Sequence, residues 1–171
     1  MTDAAPQQAN KSEPSLKVKV VMTGVLAALV AAVTIFFRIP VPRTGGYLNF
    51  GDILVIFAGL FFGPRVGFIV GGVGSAVADI VGFPIFAPFT FVIKGLEGAI
   101  PGFQFFRKDS GRQWFGAAGG ALVMVLGYFL VEALMKSIGI GAALTELPFN
   151  VLQGAMGVLG GVGLAKAVRR W

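Results

Sequence analysis

Few side chains in this sequence can do chemistry, and their spacing is uneven. Lys94 and Glu97 stand three positions apart, as do Asn150 and Gln153, while Tyr128 and Glu132 stand four apart. One further cluster, GGYLNFGD from Gly45 to Asp52, is set between two strongly apolar segments. A lysine beside carboxylates can serve as acid and base, hold a solute by hydrogen bonds, or be neutralised by its neighbour as an i,i+3 ion pair. Cysteine and histidine are both absent, which excludes thiolates, zinc fingers and any histidine-based triad or proton shuttle. No catalytic set and no metal-ligand set emerges, and nothing in the sequence implies a cofactor.

The elements that must position these residues are apolar. Of the 171 residues 56% are hydrophobic and 13% charged, with 26 glycines, far from the usual soluble mix of about 45–50% apolar and about 25% charged. An all-α integral membrane protein is the expected class. Crossing a hydrocarbon core of about 30 Å takes about 20 apolar residues. Six transmembrane helices are predicted near 18–37, 52–63, 65–82, 88–106, 113–136 and 146–166. The second is too short to span alone, and the third carries Gly67, Gly71, Gly72 and Gly74, so both are expected to pack inside protein.

Residues 1–17 are polar, contain two prolines, lack the pattern of a signal peptide and read as a disordered cytoplasmic tail; residues 18–171 form one membrane domain. With both termini cytoplasmic, ten lysines and arginines fall inside (Lys11, Lys17, Lys19, Arg65, Arg107, Lys108, Arg112, Lys166, Arg169 and Arg170) and three outside (Arg38, Arg43 and Lys136), with Lys94 left within a span. Positive residues flanking spans favour the cytoplasmic side, so this orientation is preferred. It also accounts for the net charge of +6, which has no soluble basic domain to serve a nucleic acid.

Depth then follows from the rise of 1.5 Å per residue. Entering near Pro88, Lys94 lies roughly 9 Å and Glu97 roughly 13 Å down. Tyr128 and Glu132 fall in the outer part of the fifth span, Asn150 and Gln153 open the sixth, Asp79 ends the third, and the GGYLNFGD loop is external. An ion or proton path would distribute polar groups through the whole thickness. Here they occupy the outer half, over an inner half of Gly, Ala, Val, Leu and Phe, which describes a pocket open outward and closed below. Each residue also has a structural reading. Lys94 and Glu97 can neutralise each other, Lys136 can snorkel to meet Glu132, and Asn150 and Gln153 can join helix to helix.

In the first span, Gly24, Ala28 and Ala32 form one small-residue row and Ala27 with Ala31 a second. Such rows admit a close helix, either within the chain or from a partner. No G-x-x-x-x-G-K-[ST] loop is present, and Gly72-Val73-Gly74 lacks the third glycine of a dinucleotide fingerprint, so the chain cannot hydrolyse ATP.

The order YLNFGD, FFGPRVG, GSAVADIVG, FTFVIKGLEG and PFNVLQGAMG resembles the substrate-binding S components of energy-coupling factor (ECF) vitamin transporters, over residues 18–168. That resemblance implies six helices, a pocket near the outer surface, residence in the cell membrane (a bacterial inner membrane) and a partner module of one transmembrane T component and two ATPases. It implies that the row Gly24, Ala27, Ala28, Ala31 and Ala32 docks on the T component, and that the first loop is a lid. In that lid Gly45 and Gly46 would supply freedom to open and close. Asp52 would belong to the lid, and Tyr47 and Asn49 would reach the solute beside Lys94, Glu97, Tyr128, Glu132, Asn150 and Gln153. The fifth helix lacks the paired histidine and tryptophan typical of thiamine binders, which argues against thiamine and leaves a pyrimidine precursor, pantothenate or riboflavin type of vitamin. The competing functions are a stand-alone proton-coupled carrier using Glu132 and a membrane enzyme using Lys94, Glu97 and Glu132, which would lack a nucleophile or metal.

Overall fold

The computed structural model describes residues 15–41, 44, 46–103 and 110–169. Six α-helices and one small hairpin follow in the order α1 Leu16–Phe36, β1 Ile39–Pro40, β2 Tyr47–Leu48, α2 Gly51–Phe62, α3 Pro64–Gly82, α4 Ala87–Gly102, α5 Ser110–Leu134 and α6 Gly139–Arg169. Local chemistry sets several of these ends. Ser15 caps α1 by accepting from the Val18 N–H at 3.4 Å. Between α2 and α3, Gly63 takes φ 92°, open to glycine and little else, and Pro64 starts α3 where its missing N–H costs nothing.

Polarity is arranged for lipid. Large apolar side chains such as Val25, Leu29, Ile80, Leu122, Leu130 and Leu159 face outward, while Asp52, Lys94 and Glu97 are 1%, 2% and 0% exposed. Four helices (α1, α3, α5 and α6) are long and apolar enough to cross a membrane by themselves. The chain is a multi-pass membrane protein. The 12-residue α2 rises only about 18 Å and is enclosed as expected, with Val55, Ile56, Ala58 and Leu60 fully buried. The 16-residue α4, about 24 Å long, is likewise mostly covered by α3 and α5. Close approach is made possible by missing side chains: a Cβ on Gly67 or Gly98 would overlap the carbonyl of the other, so α3 and α4 meet backbone to backbone there.

Several boundaries depart from expectation by a few residues, α4 for one ending at Gly102 rather than 106. α6 begins at Gly139, seven residues before the predicted 146, because Gly139 at φ 81° turns the chain straight out of the α5 end and Pro148 is accommodated inside the helix. α1 already includes Leu16 and Lys17, which had been assigned to the tail. The first loop, read from the sequence as an external lid, contains a hairpin: Ile39 pairs with Leu48 and Pro40 with Tyr47, and the Val41 N–H donates to the Gly46 carbonyl at 3.0 Å.

The two small-residue rows of α1 separate. Ala27 and Ala31 are buried with Val30 and Thr34 against α3, whose Gly74 lies so near that a Cβ there would sit 2.6 Å from the Ala27 carbonyl. Gly24 and Ala28 are exposed and Ala32 half-buried, and nothing approaches Gly24 within 4 Å. The Ala27–Ala31 row is therefore internal packing and cannot reach a partner, which corrects the assignment of all five residues to one docking face.

Candidate binding pocket

Antiparallel alternation brings the C-terminal ends of α1, α3 and α5 and the N-terminal ends of α2, α4 and α6 to one end of the bundle, under the hairpin. A polar pocket opens between them. α3 supplies Ser75 and Asp79, one helical turn apart, and the turn after it Phe83 and Phe86. α4 supplies Thr90 and Lys94, α5 Tyr128 and Glu132, and α6 Glu146, Asn150 and Gln153. Gly46, Tyr47 and Asn49 close it from the hairpin side, with Thr34 of α1 behind. The cavity between these walls measures about 50 Å³. At about 10–15 Å³ per water, that is room for a few waters.

The floor is an ion network. Lys94 pairs with Asp52 in the first turn of α2 and with Glu97 Oε2 at 2.9 Å. Gln153 Nε2 donates to Asp52 Oδ2 at 3.0 Å, and Gln153 Oε1 accepts from the Asn49 N–H at 2.8 Å. Asn49 Oδ1 accepts in turn from the Gly51 N–H at 2.8 Å, holding the start of α2. The ion-pair reading of the Lys94–Glu97 spacing is thus realised, and Lys94 also reaches the pocket wall. Glu97 lies behind Lys94, fully buried, and forms no part of the wall. Asp52, placed in the lid by the sequence reading, is helical, 1% exposed and part of the floor.

One side wall is a chain of hydroxyls ending on a carboxylate. Tyr47 OH donates to Asp79 Oδ1 at 2.5 Å, Thr90 Oγ1 donates to Asp79 Oδ2 at 2.5 Å, and Tyr128 OH lies 3.0 Å from Thr90 Oγ1 as its remaining donor. Burial first, and then the Asp79 charge, push the Tyr47 hydroxyl well above the ordinary phenol range, so it stays a donor. Tyr47 also stacks on Phe83 at 5.2 Å, and Arg38 covers both rings, at 4.8 and 5.7 Å, while donating to the Thr34 and Ala78 carbonyls. The ring of Tyr47 is therefore already stacked, which restricts its use as a platform for a solute.

The opposite wall has unspent polar atoms. Glu132 is 3% exposed and Asn150 8% exposed, yet Glu132 Oε2 and Asn150 Nδ2 have no hydrogen-bond partner. The charge that Glu132 faces is not Lys136, which is exposed, but the carboxylate of Glu146. Glu146 Oε1 accepts from the Gly46 N–H at 3.0 Å, tying the hairpin to α6. A Cβ on Gly46 would displace that carboxylate, so the missing side chain is what lets this contact form. Gly45 lies outside the described residues.

Of the residues expected at the site, the structure brings together Tyr47, Asn49, Lys94, Tyr128, Glu132, Asn150 and Gln153 with Gly46. Thr34, Ser75, Phe83, Phe86, Thr90 and Glu146 were missed, and Asp79, placed at the right end of its helix, was given no part in the site. A signal for some of them existed: Ser75 and Asp79, and Thr90 and Lys94, are i,i+4 pairs of polar residues in apolar helices and must share a face.

The fold and pocket define a six-helix, multi-pass membrane protein with a polar pocket at one end of its bundle. The model of the ECF-type riboflavin transporter S-component family matches residues 16–170, and the chain belongs to that family, a family of transporter components rather than enzymes. An uncharacterized protein of Pyrococcus woesei is 43% identical over 142 residues, covering 82% of this chain and 95% of the relative. Among solved structures, the S component of a bacterial ECF transporter aligns with TM-score 0.70 at 18% identity, over 91% of this chain and 98% of that one. FolT bound with folic acid aligns with TM-score 0.62 at 24% identity, over 90% and 95%. At those identities the two structures bear on fold alone.

Proposed function

We propose that this chain is the vitamin-binding subunit of an ATP-driven ECF importer in the cell membrane, with riboflavin the first candidate ligand. The observation that carries the proposal is the lidded pocket in which buried polar atoms of Glu132 and Asn150 are left unpaired, since buried polar groups are ordinarily satisfied and a ligand can complete them. Family membership supports the choice of ligand. The far end of the bundle gathers Lys17, Lys19, Arg65, Arg112, Lys166 and Arg169, which favours that end as cytoplasmic and the pocket as external. Lacking any ATP-binding loop, the subunit depends on a T component and two ATPases for energy.

Titrating the purified full-length chain with riboflavin and following quenching of flavin fluorescence tests the ligand. One saturable site is expected, and its absence removes riboflavin. Uptake in cells with and without the T component and ATPases tests the coupling. The second reading, a proton-coupled carrier working alone, draws on the adjoining carboxyls of Glu132 and Glu146, and it is the one that predicts uptake without the module.

A further inference from the structure

We propose that Glu132 and Glu146 make the pocket select its ligand by charge, admitting a neutral, donor-rich or cationic solute and turning away anionic forms, phosphate esters and carboxylates among them. The inference rests on the solute-binding reading of the pocket and narrows it. Lys94 is the one cation on the wall among the described residues, and its charge is already shared by Asp52 and Glu97. Arg38 stands outside the wall, behind Tyr47 and Phe83, with two of its N–H groups donated to backbone carbonyls. Asp79 has both oxygens engaged by hydroxyls.

What remains for a ligand near the lid is the Glu132–Glu146 pair, with Glu132 Oε2 unpartnered and buried. The unpartnered Asn150 Nδ2 is a single neutral donor beside it. A solute N–H or O–H can satisfy the carboxylate, and a cation can also relieve the repulsion between the two. An anion would be buried against like charge without a free cation to meet it, which is how a site rejects a near-identical competitor. If the pair shares one proton it still carries a negative charge, so the preference keeps its sign. Because Glu146 also accepts from the Gly46 N–H, the group that reads ligand charge is the one that fastens the lid.

The test uses two matched pairs on the full-length chain in detergent: riboflavin with riboflavin phosphate, and pantothenol with pantothenate. Within whichever pair binds, the neutral member is expected to bind at least about a hundredfold more tightly. Glu132→Gln combined with Glu146→Gln, near-isosteric and uncharged, is expected to shrink that ratio about tenfold or more, whereas either change alone leaves the other carboxylate to carry the charge. Anion and neutral solute binding within about threefold of each other, or a ratio unmoved in the double variant, overturns charge selection and leaves vitamin binding standing. Binding of no member of either pair overturns both, because the acidic pair would then be a structural feature.

Discussion

Lys94 of α4 and Asp52 of α2, 42 positions apart, meet as a buried ion pair that Glu97 and Gln153 complete. The pair fixes how far α2 stands from α4 and so sets the depth of the pocket floor. Both side chains are at most 3% exposed. Removing one partner of such a pair leaves an uncompensated buried charge and typically costs about 3–5 kcal/mol.

Lys94→Met is therefore expected to lower ligand-free stability by about that amount, measured as thermal unfolding in detergent. Combining it with Asp52→Asn should recover part of the loss, because one of the two stranded carboxylates is then gone. An unchanged unfolding temperature in Lys94→Met would show that the floor does not depend on this charge.

Gly46→Ala tests the lid. The new Cβ would occupy the space of the Glu146 carboxylate and break the bond from the Gly46 N–H. A hydrogen bond to a charged group contributes about 1.5–3 kcal/mol, so ligand dissociation should accelerate about tenfold or more. Stopped-flow displacement of bound riboflavin reads the rate directly. A rate equal to that of the native chain would remove the lid role from this contact. The expectation runs opposite to the sequence-based one, in which stiffening a flexible glycine slows exchange, because Gly46 is a matter of space.

How much of this was legible depends on direction along or across the helices. Depth along a helix follows from residue number, so Lys94, Tyr128, Glu132, Asn150 and Gln153 were grouped from the sequence, and all five line the pocket. Lateral neighbours do not follow from it. Glu132 was matched with Lys136 because the two are four apart, but α6 starts seven residues earlier than its apolar run suggests and carries Glu146 to the same level on the facing helix. The two small-residue rows on α1 look alike in sequence, and only packing against α3 shows that Ala27 is inside and Ala28 outside. Asp52 reads as the last residue of a polar loop, whereas Asn49 ends the loop by accepting from the Gly51 N–H and makes Asp52 helical.

The division of α1 gives the partner face a paired control. Ala28→Trp adds bulk to an exposed position and is expected to leave riboflavin affinity within about threefold while abolishing uptake with the T component and ATPases. Ala27→Trp puts the same bulk into the α1–α3 contact and should destabilise the fold by about 1–3 kcal/mol or more. Uptake preserved in Ala28→Trp would remove this face from partner docking.

Asn150 is the residue whose variant separates ligand contact from helix packing most cleanly. Its amide nitrogen is buried and has no partner, so within the empty protein the Nδ2 group joins no helix to another. Asn150→Leu replaces it with an apolar group of similar size, and removing an unsatisfied buried donor should cost little or nothing in ligand-free thermal stability. When solute is present the balance reverses, because an acceptor on the solute that met Nδ2 is left unpaired. That loss is about 1–3 kcal/mol, equivalent to a dissociation constant roughly five- to 150-fold weaker. Titration with riboflavin beside ligand-free unfolding of the same variant reads the two quantities independently. A large drop in unfolding temperature with unchanged affinity would make Asn150 a packing residue and shift solute contact toward Glu132 and the hydroxyls of Thr90 and Tyr128.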